Sequence, residues 1–383
     1  MPRIKIRCKR LKHVDLLIYD SVGLENVKGS VGHAVKWGVL EVRDVEINIH
    51  PIVLINYLAV VQTWLTSKVN KKVDFDLRTA LELALIKARR PKLVVTNIDN
   101  SRRFSTLSRA YNKATFIAVQ NAFRTDEVND IAKYMRVTNF FCFGAETVDR
   151  YIKAGCKIDN YVVLGSLRNG LYRQAHPGNR EKRYDLCFVS QYKPARFEES
   201  MPSLRKTSLQ LLEYSERYCL ENGKNLVIAG NAKDKKLPYE YRYYLENLHN
   251  RKTNFIPNNN QSFSSYRTID ESEVTVVINS TIGYESLARG QKILFCNFSN
   301  DSYYDVPGKY RDGIWSLRGD DVTYEDFSHR LDNLFKMTPK AWNSLVGEMA
   351  EYFVHEDRER LEQDDLAEHL TRFLNEPRCS VIG

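Results

Sequence analysis

Between Ile278 and Phe298 the chain reads INSTIGYESLARGQKILFCNF. The apolar, β-branched run Val274–Ile278 leads into it and stops at Asn279-Ser280-Thr281, so it reads as a buried strand. Gly283 marks a turn, Tyr284 to Arg289 opens a helix, and KILFCNF (Lys292–Phe298) is the next strand. Strand, helix and strand in succession belong to an α/β protein with mostly parallel sheets. Hydroxyls and backbone N–H groups gather where that helix starts, and its unpaired donors and dipole favour a phosphate there. Glu285, in the opening turn, is placed to accept hydrogen bonds from a ribose. The same residues also read as a plain cap, with Ser280 and Thr281 closing the helix and Glu285 completing the motif.

The alternation extends in both directions. The same half of the chain holds YDLCFVS (Tyr184–Ser190), a helix over 203–222 and NLVIAG (Asn225–Gly230). Leu204, Ser208, Leu211, Leu212, Ser215 and Cys219 share one face of that helix, and Gly223 stands where a C-terminal cap belongs. The other half supplies VDLLIYD (Val14–Asp20), VLEVRDVEINI (Val39–Ile49), KLVVTNID (Lys92–Asp99), TFIAVQN (Thr115–Asn121), NFFCFG (Asn139–Gly144) and NYVVLGS (Asn160–Ser166). Helices are expected between them over 74–88 and 125–134. The polar stretch NGLYRQAHPGNREKR has no period of either kind and reads as a linker. The expected organisation is a first domain at 1–168, a linker at 169–183, a second doubly wound domain at 184–340, and a tail at 341–383. That tail reads as helical from Lys340 to Asn375, with Leu361, Leu366, Leu370 and Phe373 on one face, suited to packing back across the first domain.

With 383 residues, 43% of them hydrophobic, the chain has material for two to three cored domains and is not a disordered one. The longest uncharged apolar run, Pro51–Leu65, is interrupted by Asn56 and Gln62 and is too short to span a bilayer. It reads as a buried helix opened by Pro51; the other reading is a membrane-surface element flanked by Lys68, Lys71 and Lys72. The start, MPRIKIRCKRLK, has no apolar export segment, so a cytoplasmic location is expected. Seven scattered cysteines without a C-x-x-C pair argue against a disulfide framework and a zinc site. A net charge of +9 favours an anionic partner, but bases and acids are interspersed, which argues against nucleic acid. No phosphate-binding G-x-x-x-x-G-K-[ST] loop, H-E-x-x-H or G-x-S-x-G occurs. No D-x-D pair stands out for a nucleotide-bound metal either; Asp74-x-Asp76 reads as a helix cap, and no metal cofactor is expected.

A strand followed by S-T-x-G-x-E-x-L-x-x-G-x-K-I-L-F resembles the nucleotide-binding segment in the C-terminal domain of GT-B-fold glycosyltransferases. The chain as a whole is similar to one branch of them, the bacterial surface carbohydrate biosynthesis proteins that serve polysaccharide and capsule assembly. The pieces that carry the likeness are YDLCFVSQ (Tyr184–Gln191), SSYRTIDESEVTVVINSTIGYE (Ser264–Glu285), LEVRDVEINI (Leu40–Ile49), TNIDNSRRF (Thr96–Phe104) and AVQNAFR (Ala118–Arg124). The resemblance implies two Rossmann-like domains facing a cleft, a final helix crossing back to the first, a nucleotide sugar on the second domain and its acceptor on the first. Ser280, Thr281 and Gly283 would meet the phosphates and Glu285 the ribose. Ser190 and Gln191, just past a strand end, lie where ligands of such sheets bind, or form an ordinary capped turn.

Within that picture Asp99 and Asp20, both ending strands of the first domain, are the candidate bases for an acceptor hydroxyl, with His33 and Glu46 behind them. Asn100, Arg102 and Arg103 would hold an anionic sugar or diphosphate. His176-Pro177 resembles a pair that some CMP-sugar sialyltransferases turn on the donor phosphate, but it falls in the linker and reads as a turn. The activity the resemblance implies is metal-independent transfer of a sugar to a lipid-linked surface-glycan acceptor at the inner face of the membrane. A UDP-sugar 2-epimerase of the same fold and a non-catalytic glycan or nucleic-acid binder are the rival readings.

Overall fold

The computed structural model describes residues 4–8, 11–43, 45–69, 76–178, 180–193, 199–232, 236–249, 253–259 and 261–376. The chain divides into two compact units, Met1–Leu171 together with His355–Gly383, and Tyr172–Val354. The strands of the first are β1 (Ile4–Arg7), β2 (Leu16–Tyr19), β3 (Trp37–Leu40), β4 (Val45–Asn48), β5 (Leu93–Thr96), β6 (Thr115–Val119), β7 (Arg136–Cys142) and β8 (Lys157–Val163). Those of the second are β9 (Tyr184–Val189), β10 (Leu226–Ala229), β11 (Asn254–Ile256), β12 (Ser272–Val277), β13 (Lys292–Asn297) and β14 (Ser316–Arg318).

Each unit is built on a six-stranded sheet, ordered β3-β2-β5-β6-β7-β8 in the first and β11-β10-β9-β12-β13-β14 in the second, while β1 and β4 pair separately. All these pairings are parallel. Parallel neighbours need helical crossovers, and helices on both faces bury a strand on both sides. That is why β2, β5 and β10 are apolar runs buried at every position. Alternate side chains of the first sheet feed two cores: Leu17, Tyr19, Val94 and Phe116 on one face, Leu16, Ile18, Val95 and Ile117 on the other. Leu366 and Leu370, from the helix Glu362–Asn375, complete the second of these. The final helix thus returns to the first unit, as expected. Among the described residues no helix is long and apolar enough to cross a membrane.

Four local expectations are corrected. The run 39–49 is two strands in two sheets, because β3 ends at Leu40 and Val42 turns into the core, where the Arg78 guanidinium donates to its carbonyl. The supposed linker begins as a helix, Leu167–Ala175. Gly170, which suggested a break, is a notch in that helix: a Cβ there would lie 2.3 Å from Glu362 Oε2 and 2.4 Å from Gln363 Oε1 of the returning helix. The tail is two helices, of which Pro339–Phe353 stays with the second unit, burying Trp342 and Phe353. Finally, the Pro51–Val69 helix buries Val53 and Val60 but leaves Ile55 and Leu58 about two-thirds exposed, so it is not the buried helix its composition suggested. Lys71 and Lys72 lie outside the described residues.

Candidate functional site

When a chain builds a parallel sheet outward to one edge and then resumes on the other side of its starting strand, the two crossovers diverge and open a crevice at the strands' C-terminal ends. The first sheet reverses in this way between β2 and β5, the second between β9 and β12. Each reversal carries several of the residues singled out from the sequence.

In the second unit the ends of β9 and β12 are clasped to each other. Gln191 Nε2 donates to Asn279 Oδ1 at 3.0 Å, and the Asn279 N–H returns a bond of 3.0 Å to Gln191 Oε1. The next residue, Ser280, is the N-cap of the helix Thr281–Ala288, yet its side chain makes no capping bond. Its carbonyl accepts from the Gly283 N–H at 2.9 Å. Ser280, Thr281 and Ile282 are half-buried, so the start of this helix stays within reach of a ligand. The plain-cap reading therefore fails for the hydroxyl of Ser280.

Three other predicted residues serve the fold. Ser190 Oγ donates to Glu240 Oε1 at 2.5 Å and accepts from the Tyr192 N–H at 3.1 Å and the Tyr244 hydroxyl at 2.7 Å, which fills its bonding capacity. Gly283 faces the sheet, where a Cβ would stand 2.9 Å from Val277 Cγ1 and 3.0 Å from Phe295 Cε1; only glycine lets this helix approach so closely. Glu285 is buried, and its Oε2 accepts from the Tyr266 hydroxyl at 2.6 Å, which ties this helix to the neighbouring Ser264–Asp270 helix.

The reversal in the first unit opens into a cavity of about 420 Å³. Tyr19 and Asp20 enter from the end of β2, Ile98, Asn100 and Ser101 from the loop after β5, and Arg43, Arg78 and Arg103 from around the rim. Asp20 has φ +77°, a left-handed conformation unusual outside glycine and one in which aspartate is among the better tolerated residues. Its Oδ1 accepts from the Val22 N–H at 3.0 Å, and Arg43 Nε lies 3.2 Å from Oδ2. Arg103 is steadied by Glu82, at 2.6 Å, and the Tyr19 hydroxyl donates to the same carboxylate at 2.6 Å. Burial pushes the Glu82 carboxyl above its ordinary range against the pull of Tyr19, Arg103 and Arg78. Burial and Glu82 together raise the Tyr19 hydroxyl. Three guanidiniums thus border a space with one carboxylate among its lining residues, an arrangement suited to an anionic, hydroxyl-bearing ligand.

Asp99, the other predicted base, does not line this cavity. Arg124 holds it bidentately, Nε to Oδ2 at 2.8 Å and Nη2 to Oδ1 at 2.5 Å, and both side chains are buried. The charged pair in turn keeps the arginine cationic despite its burial. Arg102, also expected at the site, is exposed and does not line the cavity, and neither does the exposed His33. Glu46 falls in β4, its side chain outside what is described. His176 packs edge-on against Tyr172, after the helix that ends at Ala175. Asp76 caps its helix, accepting from the Thr79 N–H at 2.6 Å, as its spacing suggested. Arg43 and Arg78 were missed. Arg43 lay inside what read as one strand; the signal for Arg78 was its i,i+4 spacing to Glu82 on a helix otherwise largely apolar. Among the described residues no group of three or more His, Cys, Asp or Glu side chains could hold a metal ion.

Two doubly wound parallel sheets, each with polar residues at its reversal, define a GT-B protein, and solved structures share that fold over nearly the whole chain. HepE of Anabaena, solved with UDP and glucose, is 9% identical, with 95% of this chain and 100% of that one covered at a TM-score of 0.52. A glycosyltransferase from Rickettsia africae is 10% identical over 96% and 100% of the two chains, TM-score 0.51. A protein of Listeria monocytogenes assigned as a UDP-N-acetylglucosamine 2-epimerase is 11% identical over 97% and 95%, TM-score 0.50. At these identities the likeness is one of fold. No curated protein matches the sequence. The profile of a family described as O-antigen biosynthesis proteins matches residues 117–365, well over half of the chain. The chain belongs to that family, a GT-B surface-carbohydrate biosynthesis group.

Proposed function

We propose that this protein is a glycosyltransferase that moves a sugar from a nucleotide donor to a lipid-linked surface-glycan acceptor at the cytoplasmic face of the inner membrane, without a metal. The observations that carry the reading are two unlike sets of polar residues, one at the sheet reversal of each unit. One, in the second unit, offers the helix start after Ser280, whose side chain makes no capping bond, suited to a diphosphate; the other, in the first unit, offers Asp20 among three arginines, suited to an acceptor. In this reading Ser280 and Thr281 hold the donor phosphates, Gln191 sets the Asn279 loop beside them, and Glu285 supports the helix from behind. Asn100 and Arg103 orient the acceptor, and Asp20 takes the proton from its hydroxyl. Fixed N–H dipoles offset the charge that develops on the departing nucleotide, the task a metal performs elsewhere.

A thermal-shift panel of CMP, CDP, UDP, GDP and ADP tests donor binding, since a ligand selective for the folded state raises its melting temperature. One nucleoside diphosphate, or CMP, should shift the protein, and EDTA should change sugar transfer by no more than about twofold. No shift with any nucleotide removes the transferase reading and leaves a non-catalytic glycan binder. The fold shared with the Listeria protein keeps a nucleotide-sugar 2-epimerase as the second reading. Incubating the shifting nucleotide's sugar without acceptor separates them: epimerised sugar nucleotide would displace the transferase.

A further inference from the structure

Among its described side chains the helix Pro51–Val69 packs by Val53, Tyr57 and Val60 against the core of the first unit. Its outward side is largely apolar too: Ile52, Leu54, Ile55, Leu58 and Leu65 are all exposed, between 41% and 68%, with the uncharged Gln62 exposed among them. At 3.6 residues per turn these five span an arc of about 160°, centred opposite Val53 and Val60. No charged residue occurs from Pro51 to Leu65. Helices on a protein surface normally turn polar residues outward, and contiguous apolar patches are kept small unless they meet a partner.

The charge lies beside this arc. A hollow of about 610 Å³ opens next to Asn56 and is bordered by Lys87, Arg90, Tyr111, Asn112 and Lys113, with no acid in its lining. A smaller one joins Arg90 and His13 to Ile52 on the apolar arc itself. Burial lowers the affinity of the Lys87 amine for its proton, and Lys113 acts in the same direction, so an anion placed here would favour the charged amine. A second copy of the chain would bring the same cations and worsen it.

We propose that the outer face of the Pro51–Val69 helix, with the Lys87–Arg90–Lys113 hollow, is a docking surface for an anionic lipid bilayer: the aliphatic side chains enter the acyl boundary and the cations take the headgroup phosphates. This deepens the transferase reading, on which it rests for its purpose, by naming the surface that brings the enzyme to a lipid-linked acceptor. The helix lies in the interface; it does not cross it.

The test is co-sedimentation of the full chain with vesicles of phosphatidylcholine alone or with phosphatidylglycerol added. The protein should bind the anionic vesicles, lose binding as salt rises, and ignore the neutral ones. Ile55→Asn with Leu58→Asn should weaken binding by more than about tenfold. Lys87→Gln with Lys113→Gln should weaken it by roughly fivefold per lysine. An unchanged nucleotide thermal shift shows that each variant is folded. Failure of the wild-type chain to bind anionic vesicles, or variants that bind as it does, overturns the docking surface and leaves donor binding standing. If light scattering finds a dimer that Ile55→Asn with Leu58→Asn converts to a monomer, and vesicles are ignored, the patch belongs to a second copy and the proposal is wrong. A loss of nucleotide response with vesicle binding intact would instead count against the transferase reading alone.

Discussion

Asp99 and Arg124 form a closed pair with both carboxylate oxygens engaged, and to accept a proton the aspartate would have to release a buried arginine. Among the described residues the Asp20 carboxylate meets Arg43, whose side chain is 59% exposed, and the Val22 N–H, and it borders a cavity. The two substitutions to asparagine should therefore part company. Asp20→Asn is expected to lower turnover by roughly 10² to 10⁴-fold with melting temperature and donor affinity nearly unchanged. Asp99→Asn breaks a buried ion pair, at a cost of about 3 to 5 kcal/mol, and should show mainly as lost melting temperature. Measuring turnover, donor affinity and melting together for both variants decides between them; an Asp20→Asn enzyme at near wild-type turnover would move the base elsewhere. At the donor end, Ser280→Ala with Thr281→Ala should weaken nucleotide binding by about 5 to 150-fold, the loss of roughly 1 to 3 kcal/mol of bonds to a charged ligand. Glu285→Ala should do so only alongside a fall in melting temperature, because the Tyr266 hydroxyl then loses a buried acceptor.

Helices and strands here are set in place by close approaches that single residues permit. Gly283→Ala would push a methyl onto Val277 and Phe295, and since the sheet cannot yield, roughly 1 to 3 kcal/mol of stability should go, seen as a lower melting temperature. The returning helix Glu362–Asn375 carries a pH response. His369 lies edge-on to Phe141, ring centroids 5.2 Å apart, and burial, aided by Arg372, holds its imidazole below the usual 6.5. The unfolded chain then binds more protons as pH falls through 6.5, so the native state loses stability in that window and regains it above. His369→Phe should flatten this part of the stability curve in urea titrations between pH 5 and 7.5; an unaltered slope would place the titration in another group. Strands such as LLIY and LVIA were legible because a doubly buried parallel strand needs an unbroken apolar run. The helical start of the supposed linker and the split of the tail were not, because distant partners decide them: Gln363 Nε2 donates to the Leu167 carbonyl across 196 residues. The site divides in the same way. Asp20, Asn100 and Arg103 could be found as polar residues at strand ends, whereas Arg43 and Arg78 reach the cavity from other elements, and the arginine that pairs with Asp99 lies 25 residues further on.

The whole chain is arranged as one unit interrupted by another, since Tyr172–Val354 stands between the two segments of the first. Leu366 and Leu370 are almost completely buried against the first sheet, and burying each stabilises by about 1.5 to 3 kcal/mol. A chain ended after Val354 should therefore lose the first unit's cooperative transition in calorimetry while the second still responds to nucleotide; two intact transitions would show the returning helix to be dispensable.

That interruption also sets a schedule on the ribosome. The sheet of the first unit is synthesised early, yet the helix that covers Leu16, Ile18, Val95 and Ile117 is made only after the whole inserted unit. At roughly 5 to 20 residues per second the apolar groove waits roughly 10 to 40 seconds for its cover, a long time for a greasy surface in a crowded cell. The second unit, continuous in sequence, is complete at Val354, shortly before that helix is made. The first unit's sheet therefore stays open on that face until the inserted unit has been made and the returning helix follows it.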